Sequence, residues 1–119
     1  MSIIPYLPVA NMRRSVEFYT RLLDFKCLDA NLDDPAHCIL VRRGRELHLS
    51  SFGDGCKGTV VVILERNVDR LFKTFVERGL KVPADGRSPV DEGPIDQTWG
   101  TREFYVRDPD GHCLRFTRR

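Results

Sequence analysis

The sequence has almost no excess of basic charge and no long apolar run. Its 119 residues carry 19 Lys and Arg against 17 Asp and Glu, and the terminal Arg118-Arg119 pair equals the difference. A nucleic-acid-binding face needs clustered positive charge, so that class of protein is disfavoured. The longest apolar run, Val60 to Leu64, is far shorter than a membrane-spanning helix. These absences predict a protein that binds neither nucleic acid nor membrane.

Closely spaced cysteines are also missing. The four cysteines, at positions 27, 38, 56 and 113, lack the C-x-x-C spacing of a zinc ribbon. The N-terminal segment has no basic region followed by an apolar region, so no secretory signal is predicted. We therefore expect reduced, packed thiols in a cytoplasmic protein. A composition of 41% hydrophobic and 30% charged residues is typical of a globular domain.

The two halves of the chain show the same order of predicted elements. Asn11 can cap a helix with an apolar stripe, and Asn67 can cap a second helix that Gly79 ends. In each half a strand precedes the helix and three short strands follow it. The last two strands form hairpins, around residues 43–44 and around the D-P-D-G turn at residues 108–111, which we interpret as architectural.

This internal repeat predicts an α+β fold of two tandem βαβββ modules, about residues 1–55 and 56–119, within a single domain. Mixed sheets curled around a cavity would place His48 and Arg115 at equivalent inward positions. In the second module Leu80 to Pro83 is predicted as a short strand. Residues 84–100 are predicted as a long loop, and loops of this length commonly carry function.

Five stretches carry a family resemblance: Val9-Ala10-Asn11, Ser15 to Tyr19, Leu22 to Phe25, Asn67-Val68-Asp69 and Trp99 to Gly111. Through them essentially the whole chain resembles the vicinal oxygen chelate superfamily of glyoxalases, extradiol dioxygenases, fosfomycin-resistance thiol transferases and bleomycin-resistance proteins. It is most similar to the bleomycin-resistance proteins, in its short length, its acidic loop and its W-G-x-R-E-F run before D-P-x-G. That likeness implies a homodimer that holds a cationic glycopeptide in clefts between subunits without chemistry.

The superfamily's enzymes take metal ligands, usually two His and two Glu, from the first and last strands of each module. The resemblance places these positions at Ile4, His48, Thr59 or Val60, and Arg115. Of these side chains only His48 can bind a metal ion, and the fixed charge of Arg115 repels one. We therefore expect no metal and no other cofactor. Drug-binding relatives carry a second tryptophan at the position of Val62, so the ligand need not be bleomycin.

Seven residues are candidates for ligand binding: Trp99, His48, Arg115, Asp33, Asp34, Asp96 and Glu103. Trp99, the only tryptophan, can stack on a ligand or pack at a hinge. His48 is either a packed strand residue or a cavity residue. Residues 29–34 and 91–96 each hold three acids and no base, and they either border a cleft or are solvated loops.

The prediction also covers three polar residues outside these seven, Arg102, His37 and His112. Glu103 and Arg102 must face opposite sides of their strand, and the pattern does not settle which one points inward. His37 and His112 flank turns and are expected at the surface.

Three functions follow from these residues. The first is a metal-independent protein that binds a small molecule, including a cationic one such as a glycopeptide antibiotic. The second is a superfamily enzyme, a lyase, thiol transferase or dioxygenase, which could act without metal through His48 as a general base. The third is an interaction module whose cavity is filled by its own side chains.

Overall fold

The computed structural model describes residues 2–28, 37–51, 58–83 and 88–119. The elements in chain order are β1 (Tyr6–Pro8), α1 (Met12–Leu22), β2 (Lys26–Leu28), β3 (His37–Arg42), β4 (Arg45–Ser50), β5 (Val60–Leu64), α2 (Val68–Glu77), α3 (Pro89–Glu92), β6 (Ile95–Asp96), β7 (Arg102–Arg107) and β8 (Cys113–Arg118).

Two four-stranded mixed sheets confirm the predicted α+β architecture and its internal repeat. The strand orders are β1-β4-β3-β2 and β5-β8-β7-β6, so the second sheet repeats the topology of the first. In each sheet the strand before the helix pairs in parallel with the last strand of the repeat. His48 lies opposite Tyr6 on β1, and Arg115 lies opposite Val62 on β5, which makes the two positions topologically equivalent.

The chain divides into two compact units. Unit 1 comprises Met1–Thr59 together with Asp108–His112, and unit 2 comprises Val60–Arg107 with Cys113–Arg119. The turn between β7 and β8 therefore belongs to unit 1, although both of its strands belong to unit 2.

The core of unit 1 lies between α1 and one face of its sheet. The side chain of Asn11 accepts a hydrogen bond from the Arg14 N–H at 3.0 Å and so caps α1. One face of the sheet and the apolar stripe of the helix supply fully buried side chains, including Leu7, Leu40, Leu49 and Tyr19.

The D-P-D-G turn anchors the start of α1, in agreement with its predicted architectural role. The Asp110 carboxylate accepts hydrogen bonds from the Ala10 N–H at 2.8 Å and the Ser15 hydroxyl at 3.2 Å. The buried Tyr19 hydroxyl donates to Asp108 at 2.7 Å. The Asp108 carboxylate also accepts from the backbone N–H of Asp110 and of His112.

The expected surface position of His112 is wrong. Its side chain is only 1% exposed, because its Nε2–H donates to the Pro8 carbonyl at 2.7 Å and joins the turn to β1. His37, in contrast, is exposed as predicted.

An aromatic cluster forms the core of unit 2. Asn67 caps α2 through the Arg70 N–H, and Phe75 of this helix packs edge-on against Phe104 and Phe116 at 6.0 and 5.2 Å between ring centroids. This packing defines the side of the second sheet that α2 covers and the opposite side that it leaves open.

The fourth strand of unit 2 is not the predicted segment Leu80–Pro83 but β6, inside residues 84–100. Gly79, with a φ of +108°, ends α2, and the Leu80 N–H bonds back to the Phe75 carbonyl at 3.0 Å. This hydrogen bond, together with Pro83, which has no N–H to donate, keeps the segment out of a strand ladder. Ile95 and Asp96 instead pair with Glu103 and Arg102 of β7.

In the part of the chain that the structure describes, no helix is both long enough and apolar enough to cross a membrane.

Candidate functional site

We use the term open face of unit 2 for the side of its sheet opposite α2. Residues paired in register share a side of the sheet, and successive residues alternate. The open face carries polar residues on β7 and β8 beside an exposed apolar row on β5. Its members are Glu103, Tyr105, Arg115, Val60, Val62 and Leu64.

Three side chains of this face form a connected group. The Arg115 guanidinium lies over the Tyr105 ring, with Cζ 4.7 Å from the ring centroid. The Tyr105 hydroxyl donates to Glu103 Oε1 at 2.7 Å, and the Thr101 hydroxyl donates to Glu103 Oε2 at 2.7 Å. The cation–π contact and the hydrogen bonds hold the Tyr105 ring between a positive and a negative group.

Burial affects the protonation of two groups on this face. It raises the pKa of Tyr105, and the hydrogen bond to Glu103 raises it further, while Arg115 acts in the opposite direction. Burial also raises the pKa of the Cys113 thiol, opposed by Arg107 and Arg115. Both groups are therefore held neutral at pH 7, and the Tyr105 hydroxyl remains a hydrogen-bond donor.

Arg115 is partly exposed. Its Nε is buried and has no hydrogen-bond partner within the described ranges. Beside it, Val62 of β5 is 57% exposed, and Val60 and Leu64 are similarly open. A guanidinium next to a row of exposed branched side chains is suited to a ligand with both a polar and an apolar part.

The structure resolves the alternation of Arg102 and Glu103. Glu103 lies on the open face with Arg115, whereas Arg102 lies on the α2 side. There the Arg102 guanidinium donates to both carboxylate oxygens of Asp69, at 2.7 and 2.9 Å. This hydrogen bonding lowers the pKa of the Asp69 carboxyl.

Asp96 and Trp99 occupy other places. Asp96 pairs in register with Arg102 and lies 3.3 Å from its guanidinium, so it is on the α2 side rather than with Glu103. Trp99 is 65% exposed, in the turn between β6 and β7 that the bond from the Gln97 N–H to the Thr101 carbonyl closes. An indole this exposed is free to stack on a ligand.

Unit 1 has its own open face, opposite its buried core, with a second polar group. The His48 Nε2 donates to Glu46 at 2.9 Å, because the carboxylate can only accept. His48 Nδ1 is then the acceptor for His37 Nε2–H at 3.1 Å. The Tyr6 ring stacks on His37, with centroids 5.5 Å apart. The result is a hydrogen-bonded series from Glu46 through His48 to His37.

The predicted site residues thus fall into separate groups. Arg115 and Glu103 come together in unit 2, while His48 lies on the open face of unit 1. Asp33 and Asp34 are outside the described residues. Sequence reasoning missed Tyr105 and Glu46, which strand alternation from Glu103 and from His48 could have found, since each lies two residues away on the same face.

The predicted metal-ligand positions hold unsuitable side chains. Ile4 precedes β1, Val60 begins β5, and Arg115 contacts Tyr105, which leaves His48 as the one ligating side chain of the four. Among the described residues, no three His, Cys, Asp or Glu side chains are grouped so that they could hold a metal ion.

Comparison with known proteins places this chain in a superfamily. The family model of the Glyoxalase/Bleomycin resistance protein/Dioxygenase superfamily matches residues 3–116, so the chain belongs to this superfamily. No curated protein matches the chain significantly.

Solved structures show the same fold at low sequence identity. A bleomycin resistance determinant encoded on the transposon Tn5 is 20% identical, with a TM-score of 0.78 over 99% of this chain and 97% of that one. A bleomycin-binding protein complexed with bleomycin is 20% identical, with a TM-score of 0.77 over 100% and 98% of the two chains. TioX from Micromonospora sp. ML1 is 22% identical, with a TM-score of 0.71 over 100% and 96%.

Proposed function

We propose that this protein binds a small molecule on the open face of unit 2 without using a metal ion. The observation that carries the proposal is the group Glu103–Tyr105–Arg115 beside the exposed apolar row of β5. An arginine stands at a position where the superfamily's enzymes are expected to place a metal ligand, and its charge is fixed. This favours recognition of a ligand over metal-assisted chemistry.

The side chains of Glu103, Arg115 and the apolar row of β5 indicate which chemical parts a ligand should have. The Glu103 carboxylate is 4% exposed and both of its oxygens already accept hydrogen bonds, so it would favour a cationic part through its charge rather than by direct contact. The Arg115 guanidinium can bind an acceptor, and the valines suit an apolar or aromatic part. Two proteins of the same fold are named for bleomycin resistance or bleomycin binding, which makes a glycopeptide of this class the first ligand to test. Val62 at the position of the relatives' second tryptophan makes a different ligand of similar polarity equally consistent.

Titration of Trp99 fluorescence with metal-free bleomycin, in the presence of a chelator, tests the proposal. Saturable quenching is expected, and Arg115→Met should weaken binding about tenfold or more, because a hydrogen bond to a charged group contributes about 1.5–3 kcal/mol. Arg118→Met is the matched control, since Arg118 lies on the same strand but is exposed on the opposite side. Circular dichroism establishes that both variants fold.

A flat titration with bleomycin and with a panel of aromatic cations would contradict small-molecule binding and favour the interaction module. Binding that appears only after Zn²⁺ or Ni²⁺ is added, and disappears in His48→Ala, would contradict the metal-free proposal.

A second candidate function is metal-free catalysis on the open face of unit 1. The series Glu46–His48–His37 favours it, because a carboxylate that orients an imidazole is a common arrangement for a general base. For His48 to take a proton, its Nδ1 must exchange the hydrogen bond from His37 for one from the substrate. Mass spectrometry of a ligand recovered after incubation separates the two functions. An unchanged mass supports binding alone, and a changed mass that requires His48 supports an enzyme.

The assembly and location belong to the same proposal. We propose a homodimer, and sedimentation equilibrium at micromolar concentration should give twice the monomer mass of 13.7 kDa. The three described cysteines, Cys27, Cys38 and Cys113, form no disulfide, which is typical of a reducing compartment such as the cytoplasm. Cell fractionation tests this location.

A further inference from the structure

Two cysteines that form no disulfide face each other across neighbouring strands of unit 1. Cys27 of β2 lies opposite Leu40, and Cys38 lies two residues before Leu40 on β3, so both side chains are on the same face of the sheet. Their sulfur atoms are 2.7 Å apart. A disulfide needs about 2.04 Å between its sulfurs, so a small side-chain adjustment separates the pair from a covalent bond.

We infer that Cys27 and Cys38 form an oxidation site that a peroxide converts into an intramolecular disulfide. The Cys27 thiolate attacks the peroxide, an S–O bond forms as the O–O bond breaks, and the departing oxygen leaves as water with the thiol proton. Cys38 then attacks the Cys27 sulfenic acid, an S–S bond forms, the S–O bond breaks, and a second water leaves. The two thiols lose two electrons, and hydrogen peroxide gains them.

The surroundings set the order of the two steps. Cys27 is partly exposed, whereas Cys38 is 1% exposed, and oxidation by a soluble peroxide follows exposure. Cys27 is therefore the sulfur that the oxidant reaches first, and Cys38 is the resolving thiol already in contact with it.

Cys113 provides the contrast within the same chain. It is buried and its burial raises the pKa of its thiol, both of which slow its reaction with peroxide. Site-selective oxidation at Cys27 and Cys38, with Cys113 spared, is the expected pattern.

The sequence makes this pattern simple to measure. No Lys or Arg lies between Lys26 and Arg42, so trypsin releases both cysteines in one peptide, residues 27–42. After treatment of the folded protein with hydrogen peroxide and blocking with N-ethylmaleimide, this peptide should be about 2 Da lighter than its reduced form and carry no maleimide. Dithiothreitol should restore both thiols.

Three cysteine variants and one comparison of folded with denatured protein test the inference. Cys27→Ser and Cys38→Ser should each abolish the lighter peptide, while Cys113→Ser should leave it unchanged. In a glutathione redox buffer the effective concentration of the two thiols should be higher in the folded protein than in guanidinium, because folding holds the sulfurs in contact.

The inference is overturned if peptide 27–42 keeps two alkylatable thiols, if Cys27 is converted to a sulfinic acid without pairing, or if Cys56 is the partner. Equal effective concentrations in the folded and denatured chains would also overturn it. Ligand binding is measured separately, so neither result depends on the proposed function.

Discussion

Replacing Tyr19 with phenylalanine tests whether the D-P-D-G turn holds unit 1 together. The Tyr19 hydroxyl is buried and donates to Asp108 at 2.7 Å, across 89 residues of sequence. The other Asp108 oxygen already accepts two backbone N–H groups, so the substitution leaves one buried carboxylate oxygen without its donor. Hydrogen bonds to charged groups contribute about 1.5–3 kcal/mol, and we expect a loss of about 2 kcal/mol.

The assay is guanidinium unfolding followed by circular dichroism, with thermal unfolding as a second measurement. For a chain of this length, a loss of about 2 kcal/mol corresponds to a melting temperature lower by about 8 °C. Tyr6→Phe is the matched control, because Tyr6 is exposed and the change should stay within about 0.5 kcal/mol. A Tyr19→Phe variant as stable as that control would refute the role assigned to the turn.

Three further predictions concern stability and protonation. Burial, with Asp108, raises the pKa of Tyr19 above that of the unfolded chain, so stability should fall as pH rises above about 10, with a slope of up to about 1.4 kcal/mol per pH unit. Guanidinium titrations at several pH values should show a weaker decline in Tyr19→Phe, and identical slopes would contradict the burial of this hydroxyl. Phe75→Ala should cost about 4 kcal/mol by removing the centre of the aromatic cluster, against a small effect of the control Val76→Ala at an exposed position. Since Arg102 lowers the pKa of Asp69, Arg102→Gln should raise that pKa in an NMR titration, and the ion pair should lose its stabilising effect as pH falls through the folded-state pKa of Asp69. An unchanged Asp69 pKa would show that the pair does not persist in solution.

Local signals predicted most of the fold, because the caps Asn11 and Asn67 and the repeated strand–helix order are properties of short segments. The fourth strand of unit 2 is misplaced by the sequence, because β6 is only two residues long and so carries no alternating pattern of its own. The burial of His112 depends on a carbonyl 104 residues away. Such a long-range contact leaves no periodic signal.

The candidate site was predictable in part. The internal repeat aligned His48 with Arg115, and alternation limited the inward choice to Arg102 or Glu103. Choosing between these two residues required the structure, in which Arg102 lies on the α2 side of the sheet and donates to Asp69. The contact between Cys27 and Cys38 was not predicted, since their spacing matches no redox motif and their proximity follows from strand register.

The turn at Asp108–His112 has a consequence for how the chain folds during synthesis. The first unit is completed only once residues 108–112 have been synthesised, since the bonds of Ala10 and Pro8 to this turn span 100 and 104 residues. A nascent chain ending near Thr59 carries the helix and the sheet without the groups that fix the start of that helix. Contacts so distant in sequence are slow to form, so the start of α1 acquires these bonds only after the hairpin of β7 and β8 has been made.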